Sequence, residues 1–217
     1  MFPIRQHTPS NTRPPAAAIG AQSPVYGNDR ISLIGFHDQG FVIRSRAKLH
    51  DGRLQSAILD LHRRVGGSST NLTDGLRHAV EVLRKTPSGI LRRVWLLTDG
   101  YPNRQQEHLW RRVAEAREAR INVNCIGFGD RFDAALLQRI SQATHRGRFV
   151  SVQSLRALTD ALATGPARGG PHRAEHTVYA IDLSGSMVLE QMQGRAKIAV
   201  VQDALIQLLH HKMKCFA

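Results

Sequence analysis

The run Arg93-Val94-Trp95-Leu96-Leu97-Thr98 is nearly continuously apolar, with Val94 to Leu97 at successive positions rather than alternate ones. Successive side chains on a strand point to opposite faces, so a strand of this kind needs cover on both sides. A parallel sheet sandwiched between helices supplies it. Residues 30–36, 121–128, 148–152 and 177–181 read as further strands. Between and after them, apolar residues at helical spacing predict helices over 53–64, 76–85, 106–119, 133–144, 154–163 and 194–212. The last of these carries Ile198, Val201, Leu205 and Leu208 on one face. After the turn His37-Asp38-Gln39-Gly40, residues 41–44 return as a hairpin partner of the first strand. The expectation is an α/β fold, doubly wound and Rossmann-like. Its sheet is mostly parallel, with one short antiparallel edge strand and helices on both faces.

Composition sets the outer limits. A hydrophobic fraction of 41% over 217 residues suits a globular core and excludes a disordered chain. No apolar run approaches the roughly 20 residues of a membrane-spanning helix. The N-terminus lacks the apolar core of a secretory signal, and a cytoplasmic location is expected. The two cysteines, Cys125 and Cys215, cannot build a disulfide framework or a cysteine zinc site. Cys125 lies in an apolar run and is expected to be a buried thiol. The formal net charge of +13 favours anionic partners. The charge is scattered through helices, as at Arg111-Arg112 and Glu115-Ala116-Arg117-Glu118, without interleaved aromatics. Solvated helix faces are therefore expected rather than a nucleic-acid groove.

Residues 1–28 hold five of the nine prolines and read as an arm. Residues 29–217 read as one domain: a main part at 29–163, a Gly/Pro-rich linker at 164–176, and a strand with a long helix at 177–217. The chemistry concentrates at strand ends. The strand at 177–181 runs into Asp182-Leu183-Ser184-Gly185-Ser186, one carboxylate and two hydroxyls on a tight turn. Hard divalent cations take oxygen ligands of this kind. A Ser/Gly turn with an Asp helix cap accounts for the pentapeptide equally well. Asp99 ends the apolar strand, and Thr70 sits in the loop Gly66–Gly75 before a helix that Thr73 or Asp74 could cap. Ligands on open α/β sheets bind beyond the carboxyl ends of the strands, where all of these residues fall.

Asp182-Leu183-Ser184-Gly185-Ser186, the loop from Gly67 to Gly75 and Leu97-Thr98-Asp99-Gly100 together resemble the three segments of the metal-ion-dependent adhesion site of von Willebrand factor A (VWA) domains. The likeness runs from about Asp29 to the C-terminus and is similar to intracellular bacterial members, including chelatase-like ones. The resemblance implies that Ser184 and Ser186 bind Mg²⁺ or Mn²⁺ directly, in preference to Ca²⁺. Thr70 would join when a partner is bound, and Asp182 and Asp99 would act directly or through water. Asn71, Gly100, Tyr101 and Gly185 would line the rim. A partner protein would supply an Asp or Glu to the metal, and an ATPase of the AAA type is one kind of partner the family implies. The segment order differs from the family's, because the Asp-x-Ser-x-Ser strand and its helix come last here. The chain resembles a circular permutant. Its strand-helix unit closes the fold within one chain or completes a neighbouring copy by domain swapping.

Two other classes remain at this level: a metal-assisted phosphoester hydrolase and a basic nucleic-acid-binding module. No Gly-x-Ser-x-Gly elbow or phosphate-binding Gly-x₄-Gly-Lys loop is present. The adjacent His210 and His211 point to different sides of a helix and form no metal pair.

Overall fold

The computed structural model describes residues 28–163 and 174–214. The arm expected over 1–28, apart from Asn28, lies outside these residues, as do most of the linker and Cys215.

A six-stranded sheet forms the centre. Its strands are β1 (Arg30–Phe36), β2 (Gly40–Ala47), β3 (Leu91–Thr98), β4 (Asn122–Phe128), β5 (Phe149–Val152) and β6 (Glu175–Asp182). They lie in the order β2-β1-β6-β3-β4-β5. Every pairing is parallel except the edge hairpin β1–β2. β6 stands between β1 and β3, and all eight of its residues are buried. The apolar run at 93–98 falls in β3, also an interior strand, as successive apolar positions require.

Helices cover both faces. On one side, α1 (Gly52–Leu59), α5 (Leu155–Ala163) and α7 (Lys197–Lys214) pack on Leu33, Trp95, Phe128 and Tyr179. On the other, α2 (Leu72–Arg84), α3 (Gln106–Glu118) and α4 (Ala134–Ala143) pack on Phe36, Leu96, Cys125 and Ala180. The architecture is the doubly wound, Rossmann-like one expected. Cys125 is fully buried, and burial pushes its thiol up to about 12, which makes it chemically quiet.

Three expectations are corrected. The helix expected over 53–64 ends at Leu59 and resumes as a 3₁₀ turn, Leu61–Arg64. The Gln202 side chain, reaching from α7, donates to the carbonyls of Ile58 and Leu59 and takes over acceptors at the helix end. The second helix starts at Leu72, and its cap is Asn71 rather than Thr73 or Asp74: Asn71 Oδ1 accepts from Asp74 N at 3.1 Å. The helix expected from Gly194 starts at Lys197. Before it come a single helical turn, α6 (Ser186–Leu189), and a small hairpin, β7 (Gln191–Met192) with β8 (Arg195–Ala196). Gln193 (φ 53°) and Gly194 (φ 74°) turn that hairpin through two successive left-handed residues.

Part of the basic charge has a structural use. Arg92 donates to the carbonyls of Ala119 and Thr86, Arg46 to that of Lys85, and Arg148 to that of Ala161. These carbonyls lie at or just past the C-terminal ends of α2, α3 and α5, where a guanidinium meets the negative end of the helix dipole.

Gly75 lets α2 approach β1. A Cβ there would stand 2.5 Å from the fully buried ring of Phe36. Helix propensity favours Ala over Gly by up to about 1 kcal/mol, but overpacking a rigid core costs about 1–3 kcal/mol. Gly75→Ala is therefore expected to destabilise the fold by about 1–2 kcal/mol in urea denaturation; a stabilised variant would contradict the tight α2–β1 packing.

Candidate functional site

The site forms beyond the carboxyl ends of the central strands, and β6 delivers its first piece. Asp182 ends that strand with no solvent exposure. The turn after it is pinned by Leu183, whose N–H donates to the Phe36 carbonyl at 2.8 Å and whose carbonyl accepts from Gly66 N at 2.9 Å. The Leu183 side chain is buried in the core. The Asp182 carboxylate accepts from Ser184 N at 2.9 Å and from the Thr98 hydroxyl at 2.7 Å. Burial pushes its pKa up to about 6; the Thr98 hydrogen bond opposes that rise and the Asp99 charge adds to it.

Ser184 Oγ stands 3.1 Å from Ser186 Oγ, which donates to Asp99 Oδ1 at 2.8 Å. Asp99 arrives at the end of β3, so residues 87 apart in sequence meet through side chains. The third piece is the loop before α2. Thr70 is buried, its N–H donates to Asn103 Oδ1 at 3.0 Å, and its carbonyl accepts from Asn103 N at 3.3 Å. Thr70 Oγ1 comes within 3.2 Å of the point where a Cβ on Gly100 would stand.

The residues expected at the rim differ in exposure. Tyr101 is 62% exposed, and Gly100 and Gly185 are half-buried. Asn71 is buried instead: its amide nitrogen donates to the Asp38 carbonyl at 3.0 Å while its oxygen caps α2. Its side chain is committed to the fold. Val188 and Leu189, 43% and 83% exposed on α6, lie just past Ser186 and were not anticipated.

Nor was Lys197 anticipated. Its side chain is 4% exposed, and Nζ donates to Asp99 Oδ2 at 2.8 Å and to Glu190 Oε2 at 2.6 Å. Burial opposes its charge, but the two carboxylates outweigh burial and hold the ammonium above the ordinary lysine range. Gly129, at φ 89°, passes so close that a Cβ there would meet Lys197 Nζ at 3.2 Å. The signal lay in the sequence: Lys197 sits four residues before Val201 and eight before Leu205, a basic residue on the apolar stripe of α7.

Adjacent corners of an octahedron with Mg²⁺–oxygen distances lie about 3 Å apart, against about 3.4 Å for Ca²⁺. The Ser184–Ser186 and Ser186–Asp99 oxygen pairs, at 3.1 and 2.8 Å, meet the smaller spacing, as hydrogen-bonded pairs also do. The donors are all oxygens, which suits a hard cation. Among the described residues no group of three or more His, Cys, Asp and Glu forms a metal cluster, so a dication here would rely on hydroxyls.

A family model for the von Willebrand factor type A domain matches residues 23–164, about two thirds of the chain. The match stops before β6 and the Asp-x-Ser-x-Ser turn. "Uncharacterized protein sll0103" of Synechocystis sp. is 22% identical over 127 residues, which cover 58% of this chain and 30% of that protein. The structure of the von Willebrand factor type A protein from Catenulispora acidiphila superposes with a TM-score of 0.53 at 15% identity, over 60% of this chain and 31% of that one. The SpRpn10 VWA domain gives 0.50 at 20% identity, over 65% and 75%. This chain thus spans less than a third of the first two proteins, and at such identities the two structures speak to the fold alone. Fold and family model agree on the same central sheet with helices on both faces, and on that ground the chain belongs to the von Willebrand factor type A domain family.

Proposed function

We propose that this chain is a divalent-metal-dependent protein-binding module. Domains of this family are generally protein-interaction modules. The observation that carries the reading is the meeting of oxygens from distant parts of the chain: Ser186 Oγ stands 3.1 Å from Ser184 Oγ and 2.8 Å from Asp99 Oδ1. Ser184 and Ser186 would hold Mg²⁺ or Mn²⁺ through their hydroxyls, Asp182 and Asp99 directly or through water, and Thr70 on partner binding. A bound dication supplies an open coordination position that attracts an external carboxylate. Hydroxyl ligands leave the dication's charge undercompensated, so an Asp or Glu of a partner protein is the fitting occupant. Gly100, Gly185 and the exposed Tyr101 would line the rim around that position, with Asn71. An AAA-type ATPase or another assembly partner fits this chemistry, and a cytoplasmic setting belongs to the same reading. Among the described residues no helix is long and apolar enough to cross a membrane.

The chain order is part of the proposal. β6 is the last strand of the sheet in sequence yet pairs with β1 and β3. This supports a circular permutation in which the Asp-x-Ser-x-Ser strand and α7 close the fold from the C-terminal side. Light scattering distinguishes closure within one chain, a monomer, from a swapped dimer.

The test is Mn²⁺ binding by calorimetry, together with capture of partner proteins in Mg²⁺ and in EDTA. One ion per chain is expected, with affinity lowered at least about tenfold in Ser184→Ala and partner capture lost in both EDTA and the variant. Mn²⁺ affinity unchanged by Ser184→Ala would sink the reading. Phosphoester turnover in Mn²⁺, abolished by Asp182→Ala, would replace it with the hydrolase; partner binding indifferent to EDTA and sensitive to salt would replace it with the nucleic-acid module.

A further inference from the structure

Lys197 is a cation already built into the site. Its side chain is 4% exposed, and the ammonium bridges Asp99, whose side chain is fully buried, to Glu190. Both Asp99 oxygens are thereby engaged, one by Lys197 Nζ and the other by the Ser186 hydroxyl. A buried carboxylate with no cation beside it is costly, and one with an ammonium at 2.8 Å is compensated. We propose that Lys197 is an internal counter-cation that keeps the site assembled when no dication is present and weakens its hold on one. The inference rests on the metal-dependent reading above.

The reasoning is electrostatic. Asp182, Asp99 and Glu190 contribute three negative charges; Lys197 returns one positive at Asp99, and Arg131, paired with Glu190 from the exposed side, returns a second. A dication that contacts Asp99 must share that carboxylate with the ammonium or displace it, against like-charge repulsion. Displacement has a route, because Lys197 and Glu190 line a cleft beside Gly129 and Arg131. The position of the lysine also explains Gly129: any side chain at that left-handed position would press on Lys197 Cε and Nζ. With the dication in place, the retained positive charge makes the rim more attractive to an incoming carboxylate. The lysine thus exchanges metal affinity for a site that is shaped in advance and tuned to an acidic partner.

The experiment compares wild type with Lys197→Met, which removes the charge, and Lys197→Gln, which removes it but keeps a hydrogen-bond donor for Asp99. Mn²⁺ affinity is measured by calorimetry, and melting temperature in EDTA and in Mn²⁺. Both variants are expected to melt lower than wild type in EDTA, to gain more from Mn²⁺, and to bind it about tenfold more tightly. A variant that folds only when Mn²⁺ is present supports the proposal, since the dication then takes over the work of the ammonium. Variants that fold in EDTA and bind Mn²⁺ no more tightly than wild type overturn it while leaving the metal-dependent reading intact. Failure of both variants to fold even in Mn²⁺ also overturns it. Absence of Mn²⁺ binding from wild type and folded variants alike overturns both.

Discussion

Asp182→Asn is expected to stabilise the metal-free protein at pH 7 by roughly 2–3 kcal/mol and, on the metal-dependent proposal, to abolish dication binding. Asp182 is fully buried, and burial raises its pKa from 3.8 to about 6. A carboxyl raised on folding binds its proton more tightly in the folded state. Its contribution is therefore present below the unfolded value of 3.8 and lost as pH rises through about 6. At pH 7 the whole cost falls on the fold. Asn avoids it and keeps the geometry: its oxygen accepts from Ser184 N, and its amide can donate to a Thr98 hydroxyl that reverses its role.

The pH dependence separates this effect from generic stabilisation. His176 is buried between the Ser32 and Thr86 hydroxyls, at 2.8 and 2.7 Å, and burial lowers its pKa from 6.5 to about 4. Its contribution has the opposite sign: present above 6.5 and lost as pH falls toward 4. Between these values the wild-type contributions of Asp182 and His176 oppose one another. The Asn variant keeps only that of His176, so it should lose about 3 kcal/mol on acidification from pH 7 to pH 4, where wild type changes much less. Urea denaturation in EDTA across that range is the measurement. A variant less stable than wild type at pH 7 would show that the buried charge is compensated in a way the Thr98 and Ser184 contacts do not account for.

Asp99→Ala acts in the opposite direction. It removes the acceptor of the Ser186 hydroxyl and one of two anions holding Lys197, leaving a buried ammonium with Glu190 alone. Breaking a buried pair from one side typically costs about 3–5 kcal/mol. Because Glu190 remains and is partly exposed, about 3 kcal/mol is expected here, again in EDTA so that no metal intervenes. Adding Lys197→Met to Asp99→Ala should return much of that loss, because the stranded charge goes with it. A double variant no more stable than Asp99→Ala would mean that Asp99 supports the fold through something other than the lysine. The two carboxylates of one site thus have opposite predicted effects on stability. One is buried without a cation of its own, and the other is paired.

Strand and helix types came through in the sequence because each has its own period. The successive apolar residues of 93–98 required an interior strand, and the stripe Ile198, Val201, Leu205, Leu208 required a helix against the sheet; all four stripe residues are buried in α7. Boundaries were less legible wherever a distant side chain decided them. Gln202 ends α1 from 143 residues away, and two left-handed residues delay α7. Asn71 was a capping signal in plain view, but Thr73 and Asp74 carry the same chemistry and nothing local ranks the three. Asn71, which the resemblance put on the rim, is buried and makes two side-chain hydrogen bonds that no local pattern announces.

The candidate site divides along the same line. The oxygens at the strand ends, those of Asp99, Asp182, Ser184 and Ser186, could be read from the residues alone, since strand ends and tight turns are local properties of the chain. Folding in three dimensions supplied the place of β6 between β1 and β3, and the seat of the Lys197 ammonium between Asp99 and Glu190. A pairing of charges is a matter of distance through space, and separations of 98 residues in sequence leave no periodic trace of it.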